Sequence, residues 1–279
     1  MAKYLDPKAD VTFKKVFGEH KNLVMSLLNA LLPLDPGKQV ESIEYLPSEL
    51  VPETPLGKNT IVDVRCEETG GRKFIVEMQM EWRANFKQRV LLNASKAYIK
   101  QLPRGNDYNL LQPVYSLNLV NETFEPDMEE YYHYYRLVHY LHSDKVLEGL
   151  HLVLVELPKF KAKNLTEKKM QVLWLRFLTE IGEATKEVPQ DLVDNPHVNE
   201  ALEIVEESAL SDEERARYDG FWDLVSREAT KEAEMKAAIA ERDAAKERLR
   251  QTVCNLKEVG MSVEQISKIT GLKPTENLL

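Results

Sequence analysis

Residues 61–80, IVDVRCEETGGRKFIVEMQM, carry the residue types whose spacing suggests chemistry. Val62, Val64 and Cys66 alternate with Ile61, Asp63 and Arg65; after a break, Phe74, Val76, Met78 and Met80 alternate with Ile75, Glu77 and Gln79. Period-two alternation on both sides of a glycine pair predicts a β-hairpin. Thr69-Gly70-Gly71 forms the loop, since glycine supplies the positive φ that a three-residue connection needs. Closing the turn there sets Glu68 opposite Arg72, Asp63 opposite Glu77 and Ile61 opposite Gln79. Two carboxylates and a carboxamide then share one side of the strand pair, with the other side apolar. Opposed like charges destabilise a sheet, and burying them unpaired is worse. A hard divalent cation such as Mg²⁺ resolves the conflict, since it takes one or two carboxylates, keeps its waters and draws further ligands from phosphate. An exposed strand face on which Arg65 and Lys73 neutralise the acids resolves it equally well.

The elements around this hairpin follow from periodicity and punctuation. Asp10 is placed to cap a short helix running to Phe17, with Gly18 as its stop. A second helix carries Leu23, Val24, Leu27, Leu28 and Leu31 on one stripe and ends before Pro33. Val40–Leu46 reads as a strand, and Pro47–Lys58 as a loop entering the hairpin. A helix from Ala84 to Leu102, ended by Pro103 and Gly105, buries Phe86, Val90, Ala94, Ala97 and Tyr98. From Arg83 to Arg104 the stretch holds six basic residues, Arg83, Lys87, Arg89, Lys96, Lys100 and Arg104, and no acid. That is either a phosphate-holding face beside the carboxylates or an ordinary solvated one. Pro113–Val120, Glu129–His139 and Leu150–Leu157 read as strands, in which Tyr131, Tyr132, Tyr134 and Tyr135 suit sheet packing. His133, His139 and His142 have no cysteine or acid at ligand spacing, which argues against a metal site there.

An α/β core therefore ends near residues 160–163, and the remainder is helical. Thr166–Gly182 carries Met170, Leu173, Trp174, Phe177, Leu178 and Ile181 at helical spacing, and Pro196–Leu210 follows. Ser211-Asp212-Glu213-Glu214 is a capping box, and Phe221 to Val259 is a long helix with a poor heptad seam. Gly260 stops it. Ser262-Val263-Glu264-Gln265 opens a last helix that ends at Gly271. Helix, turn and helix suggest a DNA reader, but eight residues after Gly271 are too few for a recognition helix, which favours a packing motif.

The 279 residues hold a formal charge of −9, which argues against nucleic acid as a partner. Its distribution answers the objection. Residues 1–165 hold 21 Lys+Arg against 22 Asp+Glu, whereas residues 166–279 hold 16 against 24. The two cysteines, Cys66 and Cys254, are far apart, and the N-terminus lacks the apolar stretch of a secretory signal. A reduced cytoplasm is expected, and no apolar run is long enough for a membrane helix.

Asp63, the glycine turn and Val76-Glu77-Met78-Gln79 resemble the PD-(D/E)XK nuclease signature, in the variant with glutamine in the lysine place. That variant is characteristic of the Rpn-type recombination-promoting nucleases and putative transposases. Asp10-Val11-Thr12-Phe13-Lys14-Lys15-Val16-Phe17-Gly18 resembles the family's opening, Val155-Glu156-Leu157-Pro158-Lys159-Phe160 its "ELPKF" strand end, and Gly260 to Leu272 its usual ending. The resemblance implies an α/β fold, a restriction-endonuclease-like core of mixed sheet flanked by helices over residues 1–163. A helical extension (164–220) and a long helix with a short helix-turn-helix-like tail (221–279) complete the expected organisation.

It further implies a metal-dependent DNA endonuclease linked to recombination, mobile elements or defence. Asp63, Glu77 and the Met78 carbonyl are the expected metal ligands, with Mg²⁺ as the cofactor and Mn²⁺ or Ca²⁺ as in vitro substitutes. Gln79 and Asp10 complete the catalytic set, while Arg83, Lys87, Arg89, Lys96 and Lys100 are the expected DNA contacts. Gln79 carries no charge, so a neighbouring cation must serve, with Lys73, Lys96 and Lys100 as candidates. The tyrosine usual in the family's following helix is absent after Arg89, with Tyr98 as a substitute. DNA is the expected partner, with no membrane, and a homodimer through the C-terminal helices is a further expectation. The competing class is a nuclease-fold protein of weak or no activity that binds DNA or other proteins.

Overall fold

The first apolar stripes form two helices, α1 (Asp10–Glu19) and α2 (Lys21–Leu31), which bury Phe13, Val16, Phe17, Leu23, Val24, Leu27 and Leu28. The computed structural model describes residues 3–50, 60–80, 83–102, 107–161 and 169–272. Asp10 is the first residue of α1 and does not cap it: Ala9 holds the cap position without a side-chain bond. The Asp10 carboxylate instead pairs with Lys14 one turn on, at 2.5 Å. The helix also runs through Gly18. The Tyr45 hydroxyl donates to the Phe17 carbonyl at 3.0 Å, supplying one of the acceptors' partners that a helix end otherwise lacks.

The strands are β1 (Ile43–Tyr45), β2 (Glu49–Leu50), β3 (Thr60–Ile61), β4 (Val64–Glu68), β5 (Lys73–Gln79), β6 (Val114–Val120), β7 (Tyr132–His139) and β8 (His142–Glu156). Six of them build a mixed sheet in the order β1-β4-β5-β6-β8-β7, while β2 and β3 pair separately. The β5–β6 and β6–β8 pairs are parallel and the others antiparallel. The helix α3 (Phe86–Ile99) covers one face through Phe86, Val90, Ala94 and Ala97, against Ile75, Val114, Val120 and Leu154. On the other face, α1 and α2 pack with α4 (Lys169–Glu180), α5 (Gln190–Val193) and α6 (Pro196–Ile204) over Val64, Cys66, Phe74, Val76, Leu117 and Val153. Trp174 lies edge-on to Phe17 there, and its indole donates to Ser26 at 3.0 Å.

The long helix α7 (Asp212–Glu258) is continuous over 47 residues, so it starts well before Phe221. The Ser211 capping box opens it: Ser211 N donates to Glu214 Oε2 at 2.8 Å and Glu214 N to Ser211 Oγ at 3.3 Å. Lys15 on α1 donates to Glu214 at 2.7 Å and holds its carboxyl down to about 2. The chain divides into two compact units, Met1–Phe221 and Trp222–Leu279. In the second, α8 (Val263–Thr270) opens with the Ser262–Gln265 capping box and buries Ile266 against Val253, with Leu256, Met261 and Leu272 around them. Among the described residues no helix is long and apolar enough to cross a membrane. The expected stops Pro103 and Gly105, together with Arg104, Thr166 and the tail after Leu272, lie outside the described residues.

Candidate active site

The hairpin closes as its glycines predict. Glu68 N donates to the Arg72 carbonyl at 3.0 Å and Gly71 takes φ 87°. From that turn the β4–β5 register runs through Glu67↔Lys73 to Val64↔Val76, so Asp63 is the next residue toward Glu77. The pairing stops there. Ile61 pairs with Glu49 of β2 and not with Gln79, and its side chain is exposed. Val62 joins the cluster under α3 whereas Val64 packs beneath α1 and α2. The alternation therefore breaks at Asp63, where the chain bends out of the sheet.

That bend gives each acid its own surroundings. Asp63 Oδ2 accepts from the Met78 N–H at 2.7 Å, and Oδ1 lies 3.9 Å from Lys14 Nζ on α1. Glu77, buried beneath α3, accepts from Asn93 Nδ2 at 2.7 Å and lies 3.5 Å from Arg89 Nη2. The same Arg89 nitrogen donates to Gln79 Oε1. Arg89 and Asn93 are one helical turn apart and so present one face to β5. Burial pushes the Asp63 carboxyl up to about 7, the nearby Glu77 and Asp10 charges adding to this while the Met78 N–H and Lys14 oppose it. Burial raises Glu77 as well, against the pull of Arg89 and Asn93.

Both carboxyls are thus held above their ordinary range, chiefly because burial disfavours their charged form. The donors are hard oxygens, and the Met78 peptide already touches Asp63. This set fits a Mg²⁺ ion, which needs few protein ligands and keeps its waters. Among the described residues no group of three or more His, Cys, Asp or Glu side chains converges as a metal cage.

The cation beside Gln79 is Arg89. Lys73 pairs with Glu67 nearer the turn, Lys96 reaches the Leu50 carbonyl at 3.4 Å and Thr60 Oγ1 at 3.2 Å, and Lys100 is exposed. Lys87 pairs with Glu125, and Arg83 is exposed three residues before α3. Tyr98 packs away from these groups, against Gly149 of β8. Gly149 has φ 149°, and a Cβ there would come within 3.4 Å of the Tyr98 ring. Sequence reasoning missed Lys14 and Asn93; the four-residue steps Asp10–Lys14 and Arg89–Asn93 were the available signals.

The three histidines do not gather. His139 and His142 face each other at the exposed turn of β7 and β8, while His133 is buried against Glu156 at 3.0 Å. Glu156, fully buried, also accepts from the N–H groups of Phe124 (2.5 Å) and Glu125 (2.9 Å) and from Lys159 (2.5 Å). Burial alone would raise its carboxyl, but these hydrogen bonds outweigh it and hold it below the usual range. The Glu156-Leu157-Pro158-Lys159 passage is therefore a clip that fixes the chain after β6, including the Glu125 that pairs with Lys87 on α3.

No curated protein and no solved structure matches the chain. Residues 7–224 match the family model described as PD-(D/E)XK nuclease family transposase, and this match over most of the chain shows that it belongs to that family.

Proposed function

We propose that the protein is a metal-dependent DNA endonuclease acting in recombination, mobile-element or defence biology. Family membership supports a nuclease-type function. The observation that carries the finer reading is the meeting of Glu77, Gln79 and Arg89, with Asp63 at the adjoining register position. Asp63, Glu77 and the Met78 carbonyl would hold Mg²⁺, for which Mn²⁺ or Ca²⁺ substitutes in vitro. A bound ion would polarise the scissile phosphate and lower the pKa of a coordinated water.

The chain's own groups do the rest. Gln79, neutral at every pH, orients the attacking water through its amide. Arg89 supplies the positive charge that glutamine lacks and meets the charge developing on the phosphoryl oxygens. Asn93 fixes the Glu77 carboxylate from above, and the Met78 N–H fixes Asp63. Asp10 joins the site through Lys14, which bridges it toward Asp63. Arg83, Lys87, Arg89, Lys96 and Lys100, in α3 and at its two ends, would form one bank of the DNA path, with Arg83 and Lys100 exposed.

Incubation of the full chain with supercoiled plasmid tests this reading. Nicking that requires a divalent ion, stops with EDTA and is lost in Asp63→Ala supports it. A folded protein that binds DNA but never cleaves it with Mg²⁺ or Mn²⁺ supports the binding-module alternative instead.

A further inference from the structure

The two acids face different helices, and only the α3 side has so far been given a bank of cations. On the α1 side a cleft of about 340 Å³ opens beside Asp63, lined by Lys14, Tyr45, Ser48, Asp63 and Arg65 among others. A second cleft, of about 310 Å³, continues from Lys14 past Asp10 to Arg217.

Arg65 is the unusual member. It is half-buried and makes no ion pair among the described residues. Its Nη1 donates to the Pro47 carbonyl at 3.3 Å, and its Nε is buried without a partner. A guanidinium presents five N–H donors in a fixed fork; the charge of Glu67 acts on this one, but Glu67 is itself paired with Lys73. The cations of α3 contrast with it: Lys87 has Glu125, Arg89 has Glu77 and Gln79, and Lys96 has Leu50 and Thr60. Lys14, which lines the same cleft, pairs with Asp10 and adds only part of a charge.

We propose that this cleft is a phosphate subsite: Arg65 takes a backbone phosphodiester of the nucleic-acid strand beside the one being cut. A planar guanidinium suits two non-bridging oxygens at once, and Lys14 and Ser48 belong to the same lining. The strand then runs from the α1 bank across Asp63 and Glu77 to the α3 bank, and the reacting phosphate is gripped from both sides. This inference rests on the nuclease reading and adds a contact on the side that the basic helix does not reach.

The test is fluorescence anisotropy of the full chain with a labelled DNA duplex, in Ca²⁺ and in EDTA, over a series of salt concentrations. Gel electrophoresis confirms that the duplex is intact. Arg65→Gln is expected to weaken binding about 5- to 10-fold at low salt and to reduce the salt slope by about 0.9, the share of one phosphate contact. Arg65→Lys should keep the slope while losing part of the affinity. Ser48→Asp, which places a negative charge in the cleft, should also weaken binding, and it decides the matter if Arg65→Gln fails to fold by circular dichroism. Unchanged affinity and slope in folded Arg65→Gln, or unchanged binding in Ser48→Asp should Arg65→Gln not fold, overturns the subsite and leaves the nuclease reading standing. Failure of the wild-type chain to bind the duplex in either condition removes the nuclease reading, and the subsite with it.

Discussion

In the proposed mechanism the chemistry rests on Asp63 and Arg89, two side chains whose behaviour is measurable. With its carboxyl raised to about 7 by burial, Asp63 holds a proton in the metal-free fold at pH values where the unfolded chain has released it. A raised carboxyl contributes stability below its unfolded value, and that contribution is lost as pH rises through the folded value. The metal-free protein should therefore lose stability between the ordinary aspartate range and about pH 7, by up to about 1.4 kcal/mol per pH unit. Asp63→Asn should flatten that slope in urea denaturation; an unchanged slope would refute the assignment. Arg89 makes a kinetic prediction. Replacing it with Gln removes the charge beside Gln79 and should lower kcat about 10²-fold with a smaller effect on KM, while Arg89→Lys recovers part of the loss. Single-turnover cleavage of a labelled duplex measures both.

At the level of elements, the β4–β5 turn and the Glu156 clip hold the two sides of the site. Gly71 sits at φ 87°, and a Cβ there would come within 3.0 Å of Gln112 Cγ. Gly71→Ala should cost about 1–2 kcal/mol, read from the urea midpoint. The clip is more sensitive. Glu156→Ala leaves Lys159 and His133 without their shared carboxylate and two backbone N–H groups without an acceptor. Breaking a buried pair from one side costs about 3–5 kcal/mol, so this variant should unfold at markedly lower urea. Because Glu125 also pairs with Lys87, hydrogen exchange at the N-terminal end of α3 should rise as well. Protection there equal to that of the wild type would show that the clip and the helix are independent.

Over the whole molecule, the C-terminal unit is our candidate for self-association. Its part of α7 exposes Leu224, Met235 and Ile239, and near Val253 α8 folds back to cover an apolar patch. A two-fold pairing through this helix is the simplest closed assembly and would present two hairpins to a duplex, one per strand. Sedimentation at micromolar concentration should give a dimer for the full chain and a monomer for a version ending at Gly220. The same monomeric mass for both would refute pairing through this unit.

The hairpin, its turn and its register from Glu67–Lys73 to Val64–Val76 were legible in the sequence because they are local: period-two alternation and a glycine at positive φ set the register without outside help. The stripes of α2, α3 and α4, the capping boxes before α7 and α8, and the family itself were equally readable, since each is written in residues a few positions apart. The bend at Asp63 was not. It arises because β2 captures Ile61 and the cluster beneath α3 captures Val62, partners remote in the chain that no alternation reveals. Likewise Arg89 read only as one of several basic residues along a helix. The packing of α3 on β5 decided that this one reaches Gln79 and Glu77, while Lys73 is spent on Glu67. Local periodicity fixes which face of an element is apolar, but which charged groups meet across elements depends on the distances at which separate elements pack, and only the tertiary structure supplies those.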